Sequence, residues 1–416
     1  MNSTITEKDS RLNYRALIWH GVFLSLASNF MDVDTIIPSM LLNAGGNAVM
    51  LGILTTIMVG GSSLMQIVFA GFLSNRNHKK SMLLTAINLR VITLLLLALI
   101  LFLSTPGPSN MLILSIFLLI SVFSFSGSFA NISYIDIMGK CIMERDRKRF
   151  FSVKQTIGSI GILVSAVAVR QLLGILSYPE NYGALLLSAG FLLLIASLGF
   201  WKIKEIDIKL PKRKSFREFL ALIPEQIAED SNLKFYLLII NFLGLALSFI
   251  PFMILYAKNN FDLSFTMIGN ILLLKVAGML LTSLVLYRRS KTFEYKNLLY
   301  FSFICGASLP VLSLMLSSNQ LAYQLIFILA GVFVTTFKIA KNGILVEIST
   351  NENRASYAGI AGAGSILPTV FPLVSGILIS VFGYSTTFIT LTLLVSISLV
   401  FIHRLRCKPA EGEPHE

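Results

Sequence analysis

The sequence predicts an all-α membrane protein of about twelve transmembrane helices, in two pseudo-symmetric six-helix bundles with both termini cytoplasmic. Three observations support this. Of the 416 residues, 55% are hydrophobic and only 13% charged, whereas a soluble domain carries about a quarter charged residues. The mean hydropathy is +0.77, and the apolar residues form runs long enough to cross a hydrocarbon core of about 30 Å as helices. Lysine and arginine lie between these runs, in every second loop.

The first apolar run, from about Leu17 to Leu42, contains Asp32 and Asp34 near its middle and Pro38 one turn later. An acid at the centre of a spanning helix costs about 2.5–3.5 kcal/mol on insertion scales, so it usually faces a bundle interior or a wet cavity. Five more runs complete the first half. They lie at about 48–73, at a third stretch ending near 103, and at 111–138, 153–176 and 183–201.

A polar stretch divides the chain near its middle and becomes amphipathic from Phe216, with Pro224 predicted to break it. It is interpreted either as a plain tether or as a regulatory helix on the membrane surface. Six more runs follow, at about 233–257, 265–287, 298–316, 321–344, 358–382 and 386–402.

The loop charges predict the topology. Lysine and arginine mark every even-to-odd loop, so both termini are expected in the cytoplasm. The polar N-terminus has mixed charge and precedes a run too long for a signal peptide, so we expect it to be retained. The predicted segments are a tail over 1–15, a bundle over 16–202, a cytoplasmic linker over 203–231, a bundle over 232–403 and a tail over 404–416.

Composition argues against several functions. The net charge is +13, but the basic residues are not clustered with aromatics as nucleic-acid binding requires. The three cysteines are scattered, so neither a disulfide framework nor a metal site is expected. The four histidines are expected at or outside the span ends, and the sequence has no Walker-type phosphate loop, so we predict no enzyme, ATP-driven pump or cofactor. Residue types are not repeated in rings, as a channel would need.

The two halves contain a weak internal repeat. Residues 147–152, followed by Gly158, can be aligned with 354–359, followed by Gly364. Each segment joins the fourth span of its half to a fifth span rich in small residues, which permit close helix packing. Parallel repeats of this kind imply two bundles with a binding site between them near mid-depth.

The loop from Gly71 to Lys80 is similar to a known motif, G-x-L-x-D-[RK]-x-G-[RK]-[RK], with Asn75 at its acid and His78 at its second glycine. In the last two spans, Pro372 and Gly376 begin a P-x-x-x-G pattern. With twelve spans and a long central linker, the chain resembles the major facilitator superfamily. The resemblance implies a cytoplasmic gate motif, whose residues here are Gly71, Asn75, Arg76, Lys79 and Lys80.

Charged residues inside the spans are the candidate functional residues. Asp32 and Asp34 would lie about 200° apart on a regular helix, and we predict that one or both couple transport to protons; the alternative is a fixed helix-packing role. Lys275 and Lys338 lie within the eighth and tenth spans, so the first half would contribute acids and the second half lysines to one cavity. The remaining predicted cavity residues are Asn29, Asn131 and Phe249.

Arg90 and Asp136 have opposite charges at similar depth in the third and fourth spans, so we predict a structural ion pair. Both residues of the predicted pair belong to spans of the first bundle. The two residues would then stabilise that bundle without contacting a transported solute.

These patterns predict a monomeric secondary transporter in a bacterial inner or plasma membrane that moves a small solute by alternating access, with protons as coupling partner. Efflux of amphiphilic compounds is slightly favoured by four phenylalanines expected to line the cavity, Phe30, Phe242, Phe249 and Phe252. The alternatives are uptake of a small anionic or zwitterionic nutrient and a lipid flippase.

Overall fold

The computed structural model describes residues 5–61, 78–205, 224–261, 263–288, 294–349 and 354–406, and every regular element in these ranges is helical. The described residues of the first half form seven α-helices. They are α1 (Glu7–Ser28), α2 (Ile36–Asn43), α3 (Ala48–Thr55), α4 (Lys80–Leu103), α5 (Asn110–Cys141), α6 (Glu144–Ile175) and α7 (Glu180–Trp201).

The described residues of the second half also form seven α-helices, preceded by a short helical turn at 224–229. They are α8 (Ser231–Phe242), α9 (Leu245–Asn260), α10 (Phe265–Arg288), α11 (Tyr295–Met315), α12 (Gln320–Ile348), α13 (Arg354–Ala363) and α14 (Ile366–Arg404). Most of the predicted amphipathic linker, residues 206–223, lies outside the described residues.

Ten helical segments of the described chain are long and apolar enough to cross a membrane. The predicted all-α membrane protein is therefore confirmed, whereas the number twelve and the side of the termini stay predictions. Within α14, Gly383 has φ 78° and ψ 176° and interrupts the helix, as expected from the turn predicted between the last two spans. This φ lies in the region that favours glycine.

The chain divides into two compact units. The first unit contains residues 1–47, 57–215 and 263–273, and the second contains 48–56, 216–262 and 274–416. Two segments differ from the predicted domains: residues 263–273 lie in the first unit, and α3 packs on α14 in the second unit. Gly52 allows this packing, because a Cβ atom there would overlap the carbonyl oxygen of Pro372.

The first helix begins at Glu7, well before the predicted start at Leu17, and Thr6 caps it by accepting a hydrogen bond from the Asp9 amide. Residues 7–16 are therefore helical, whereas residues up to 15 are predicted to form a tail. Asn13 is fully buried. Its side chain donates to the Lys204 carbonyl at 3.0 Å and accepts from the Lys204 amide at 2.8 Å.

Candidate functional site

The first span is interrupted at its centre. Helix α1 ends at Ser28, residues Asn29–Met31 form one 3₁₀ turn, and Asp32 at its end is extended, with φ −61° and ψ 126°. The chain becomes helical again at Ile36. Both acids predicted to act in coupling therefore lie in a break between two helices.

Asp32 accepts hydrogen bonds from the residues that follow it in the break. One oxygen of its carboxylate, Oδ1, accepts from the Asp34 amide at 3.1 Å, the Thr35 amide at 2.9 Å and the Thr35 hydroxyl at 2.8 Å. Its carbonyl accepts from the amides of Ile36 and Ile37 at 3.1 and 3.0 Å. These bonds satisfy amides that the start of α2 would otherwise leave unpaired.

Pro38 explains why the helix breaks here. It is the third residue of α2, where no intrahelical amide bond is required, whereas in a continuous helix its ring would clash with the carbonyl of Asp34. The prediction that Asp32 and Asp34 lie about 200° apart on a regular helix is therefore wrong. Both residues are partly exposed in the break.

Asn29 joins the break to helix α6 through hydrogen bonds of its side chain. It is 5% exposed, and its amide donates to the Ile162 carbonyl at 2.6 Å and the Ser165 hydroxyl at 2.9 Å. Because Ile162 and Ser165 belong to α6, the side chain fixes the edge of the break to a neighbouring helix. A contact between Asn29 and a solute stays a prediction.

Substituting Asp32 should separate its structural role from its charge. Asp32→Ala is expected to lower the free energy of unfolding by about 1–2 kcal/mol, as at other lost helix caps, and Asp32→Asn much less, because asparagine caps equally well. Thermal unfolding in detergent, followed with a thiol-reactive dye, measures this, since Cys141 and Cys305 are buried free thiols. Equal stability of the two variants would contradict the capping role.

The other predicted cavity residues are distributed over both units. In the first unit, Asn131 is exposed on α5. In the second, Lys275 is 2% exposed on α10 and Lys338 is exposed on α12. Phe249 is 2% exposed, and its ring packs edge-on against Phe388 with centroids 4.7 Å apart. Phe249 is therefore a packing residue of the second unit.

The predicted pair of Arg90 and Asp136 is not formed. Asp136 instead binds Lys79 at 3.0 Å and Lys140 at 2.6 Å, and both lysine side chains are almost fully buried. The Arg90 guanidinium lies over the Phe123 ring, 4.1 Å from its centroid. Two side chains at similar depth on two helices do not have to face each other. Lys140 lies four residues after Asp136 and therefore on the same face of α5.

Lys79 and Lys80 of the predicted gate motif lie at the start of α4, whereas Gly71, Asn75 and Arg76 lie outside the described residues. The buried carboxylate of Glu205 accepts from the Lys79 amide at 2.9 Å and the Lys80 amide at 2.8 Å. An anion is favourable at a helix N-terminus. Sequence reasoning missed Glu205 because it lies in the linker, 125 residues from the helix that it caps.

His20 was also misplaced by sequence reasoning. It lies inside α1 and is 5% exposed, rather than at the end of a span. Its ring packs on Phe200, with centroids 4.1 Å apart. In the described part of the chain, no group of histidine, cysteine or acidic residues could hold a metal ion.

This is a polytopic, all-helical membrane protein, and its fold is shared by several solved transporters. It resembles the nucleoside transporter NupG with a TM-score of 0.67 at 15% identity, covering 94% of this chain and 98% of that one. A POT family transporter in complex with 5-aminolevulinic acid gives 0.69 at 11% identity, with 94% and 96% covered. A bacterial homologue of the human lysosomal transporter Spinster gives 0.65 at 11%, with 98% and 100% covered.

Residues 235–416 match the sequence profile of the Major Facilitator Superfamily. No curated protein is similar enough in sequence to be matched. The profile match over residues 235–416, together with the fold, confirms the predicted resemblance to the major facilitator superfamily.

Proposed function

We propose that the protein is a proton-coupled secondary transporter that moves a small polar solute across a bacterial inner or plasma membrane by alternating access. The observation that carries this proposal is the break in the first span, with Asp32 and Asp34 inside it. Non-helical backbone at membrane depth is tolerated only where it is buried in protein or lines a wet cavity. Interrupted helices of this kind form the substrate and ion sites of many transporters.

We assign proton exchange to Asp34. Three donors already bind Oδ1 of Asp32, so its carboxylate has a role in holding the break together. Asp34 lies beside it and is partly exposed. An ionisable residue inside a span is by default a functional one, and a carboxylate there can load and release a proton as the cavity opens to either side.

A small polar solute is favoured over an amphiphile because three of the four phenylalanines predicted to line the cavity are buried, and only Phe242 is partly exposed. Phe30, Phe249 and Phe252 are all nearly or fully buried, and Phe242 packs on Phe401 at 5.8 Å. The slight preference for efflux rested on these rings. Lys275 and Lys338 remain our candidates for contacts with a negatively charged part of the solute.

Proteoliposomes containing a trapped pH-sensitive dye test the proposal. Three probes are offered from outside: uridine, 5-aminolevulinate and the amphiphile ethidium. We expect a polar probe to change the internal pH in the wild type. In Asp34→Asn this pH change should be lost while exchange of the labelled probe across the membrane continues, because exchange needs no net proton movement.

Asp146→Asn is the matched control, because Asp146 is an acid of the same unit with 38% side-chain exposure. It should retain the pH response. Unchanged pH responses in both Asp32→Asn and Asp34→Asn would refute proton coupling through these acids. A response to ethidium alone would refute the polar solute.

A further inference from the structure

A small cavity lies inside the first unit, away from the break in the first span. Its volume is about 150 Å³, roughly the share of five water molecules in the liquid. The polar residues that line it come from four helices: His20 from α1, Arg90 from α4, Asn131 and Tyr134 from α5, and Lys154 from α6. Two of these five carry a permanent positive charge, and none carries a negative one.

The two cations lack anionic partners. The Nε atom of Arg90 is buried and has no hydrogen-bond partner. The Nζ atom of Lys154 donates to the Tyr134 hydroxyl at 2.9 Å. Within the described residues, no carboxylate is within 4.0 Å of either cation; the acid nearest in sequence to Tyr134, Asp136, is engaged by Lys79 and Lys140.

His20 adds an unused polar atom. The ring lies close to the backbone of Ala196, and its buried Nδ1 atom has no hydrogen-bond partner. In the neutral imidazole that carries its proton on Nε2, Nδ1 has a lone pair that can accept a hydrogen bond. Both Arg90 and Lys154 are close enough to act electrostatically on this ring.

Two glycines leave room for the cationic side chains. A Cβ atom at Gly127 would lie 3.4 Å from the guanidinium carbon of Arg90, and one at Gly21 would lie 3.2 Å from Cγ of Lys154. Larger residues at these positions would push the cations away from their present places. The cavity is thus lined by two partly buried cations, whose removal from water is costly unless a charge compensates them.

We propose that this cavity binds one protonated phosphate group, either free or carried by a small molecule or a lipid. A phosphate supplies the missing negative charge to Arg90 and Lys154, and its hydroxyl can donate to Nδ1 of His20. Charge-assisted hydrogen bonds to such a group are among the strongest in proteins. The volume admits the phosphate group and excludes a drug-sized ligand, which requires about 300 Å³ or more.

Binding of ³²P-labelled inorganic phosphate to the purified full-length protein in detergent tests the proposal. We expect saturable binding in the wild type and a dissociation constant at least about tenfold higher in Arg90→Gln and Lys154→Gln. Arg149→Gln, which removes an exposed positive charge from the same helix as Lys154, should bind as the wild type does. If Arg90→Gln does not fold, Arg90→Lys keeps the charge and should give an intermediate dissociation constant.

Competition identifies the source of the phosphate. If glycerol 3-phosphate displaces the label best, the group belongs to a soluble ester; if dihexanoyl phosphatidic acid does, it belongs to a lipid; if unlabelled phosphate does, the free ion is the ligand. Each result supports the site. Absence of saturable binding, or binding equal in wild type, Arg90→Gln and Lys154→Gln, would overturn it. The assay uses no pH gradient, and Asp34→Asn should bind phosphate normally, so the outcome is independent of proton coupling.

Discussion

Asp136→Asn is expected to lower the free energy of unfolding by about 3 kcal/mol, because it removes the carboxylate charge that two buried lysine side chains share. Lys79 and Lys140 are only 3% and 6% exposed in their side chains, and Asp136 is 16% exposed. This exposure places the expected cost at the lower end of the range for buried pairs. The change should be visible as a fall of several degrees in the midpoint of thermal unfolding in detergent.

Two further variants show whether the loss comes from the uncompensated charges. Asp146→Asn removes an acid whose pair with Arg145 is long, at 3.9 Å, and exposed, so its effect should stay within about 1 kcal/mol. The double variant Asp136→Asn with Lys140→Gln should be more stable than Asp136→Asn alone, since one buried charge has been removed. Equal stability of Asp136→Asn and wild type would show that Asp136 does not hold the lysines.

Much of the fold could be predicted from the sequence because the bilayer imposes one requirement on every span. Apolar runs of sufficient length must be helical there, since unpaired backbone groups are costly in hydrocarbon. Prediction from apolar runs did not find the start of the first helix at Glu7. The polar residues 7–16 carry no membrane signal, and their helical structure depends on contacts such as those of Asn13 with Lys204.

The break in the first span had a signal that sequence reasoning did not use. Pro38 follows Asp34 by four residues, which is the spacing at which a proline ring meets a carbonyl, and Asp32 is a favourable residue to cap a new helix. The positions of the two acids were therefore predictable from local chemistry. Treating the run as one regular helix gave the wrong relative orientation of the Asp32 and Asp34 side chains.

The side-chain partners within the first unit were less predictable. The partner of Asp136 within its own helix, Lys140, is four residues away and could have been found. Lys79 comes from another helix, and the capping carboxylate of Glu205 is distant in sequence. Such pairings depend on the rotation of each helix about its axis, which hydropathy does not fix because these spans are apolar on nearly every side.

Gly331→Leu is expected to prevent accumulation of folded protein, because α10 and α12 touch through their backbones at this position. A Cβ atom at Gly331 would overlap the carbonyl oxygen of Lys275, and one at Gly278 would overlap the carbonyl oxygen of Ile328. Each helix thus contributes one glycine to the same close approach. Small residues at helix interfaces supply the packing on which association in a membrane depends.

The milder Gly331→Ala change should still cost about 1–3 kcal/mol, because the obstructing atoms are backbone and cannot rotate away. Gly362→Ala is the matched control, since a Cβ atom there would meet nothing within 4 Å. Yield of monodisperse protein by size-exclusion chromatography and the midpoint of thermal unfolding measure both effects. If Gly331→Leu has the elution profile and unfolding midpoint of the wild type, the two helices are not in backbone contact. The packing that holds Lys275 in its buried position would then be absent.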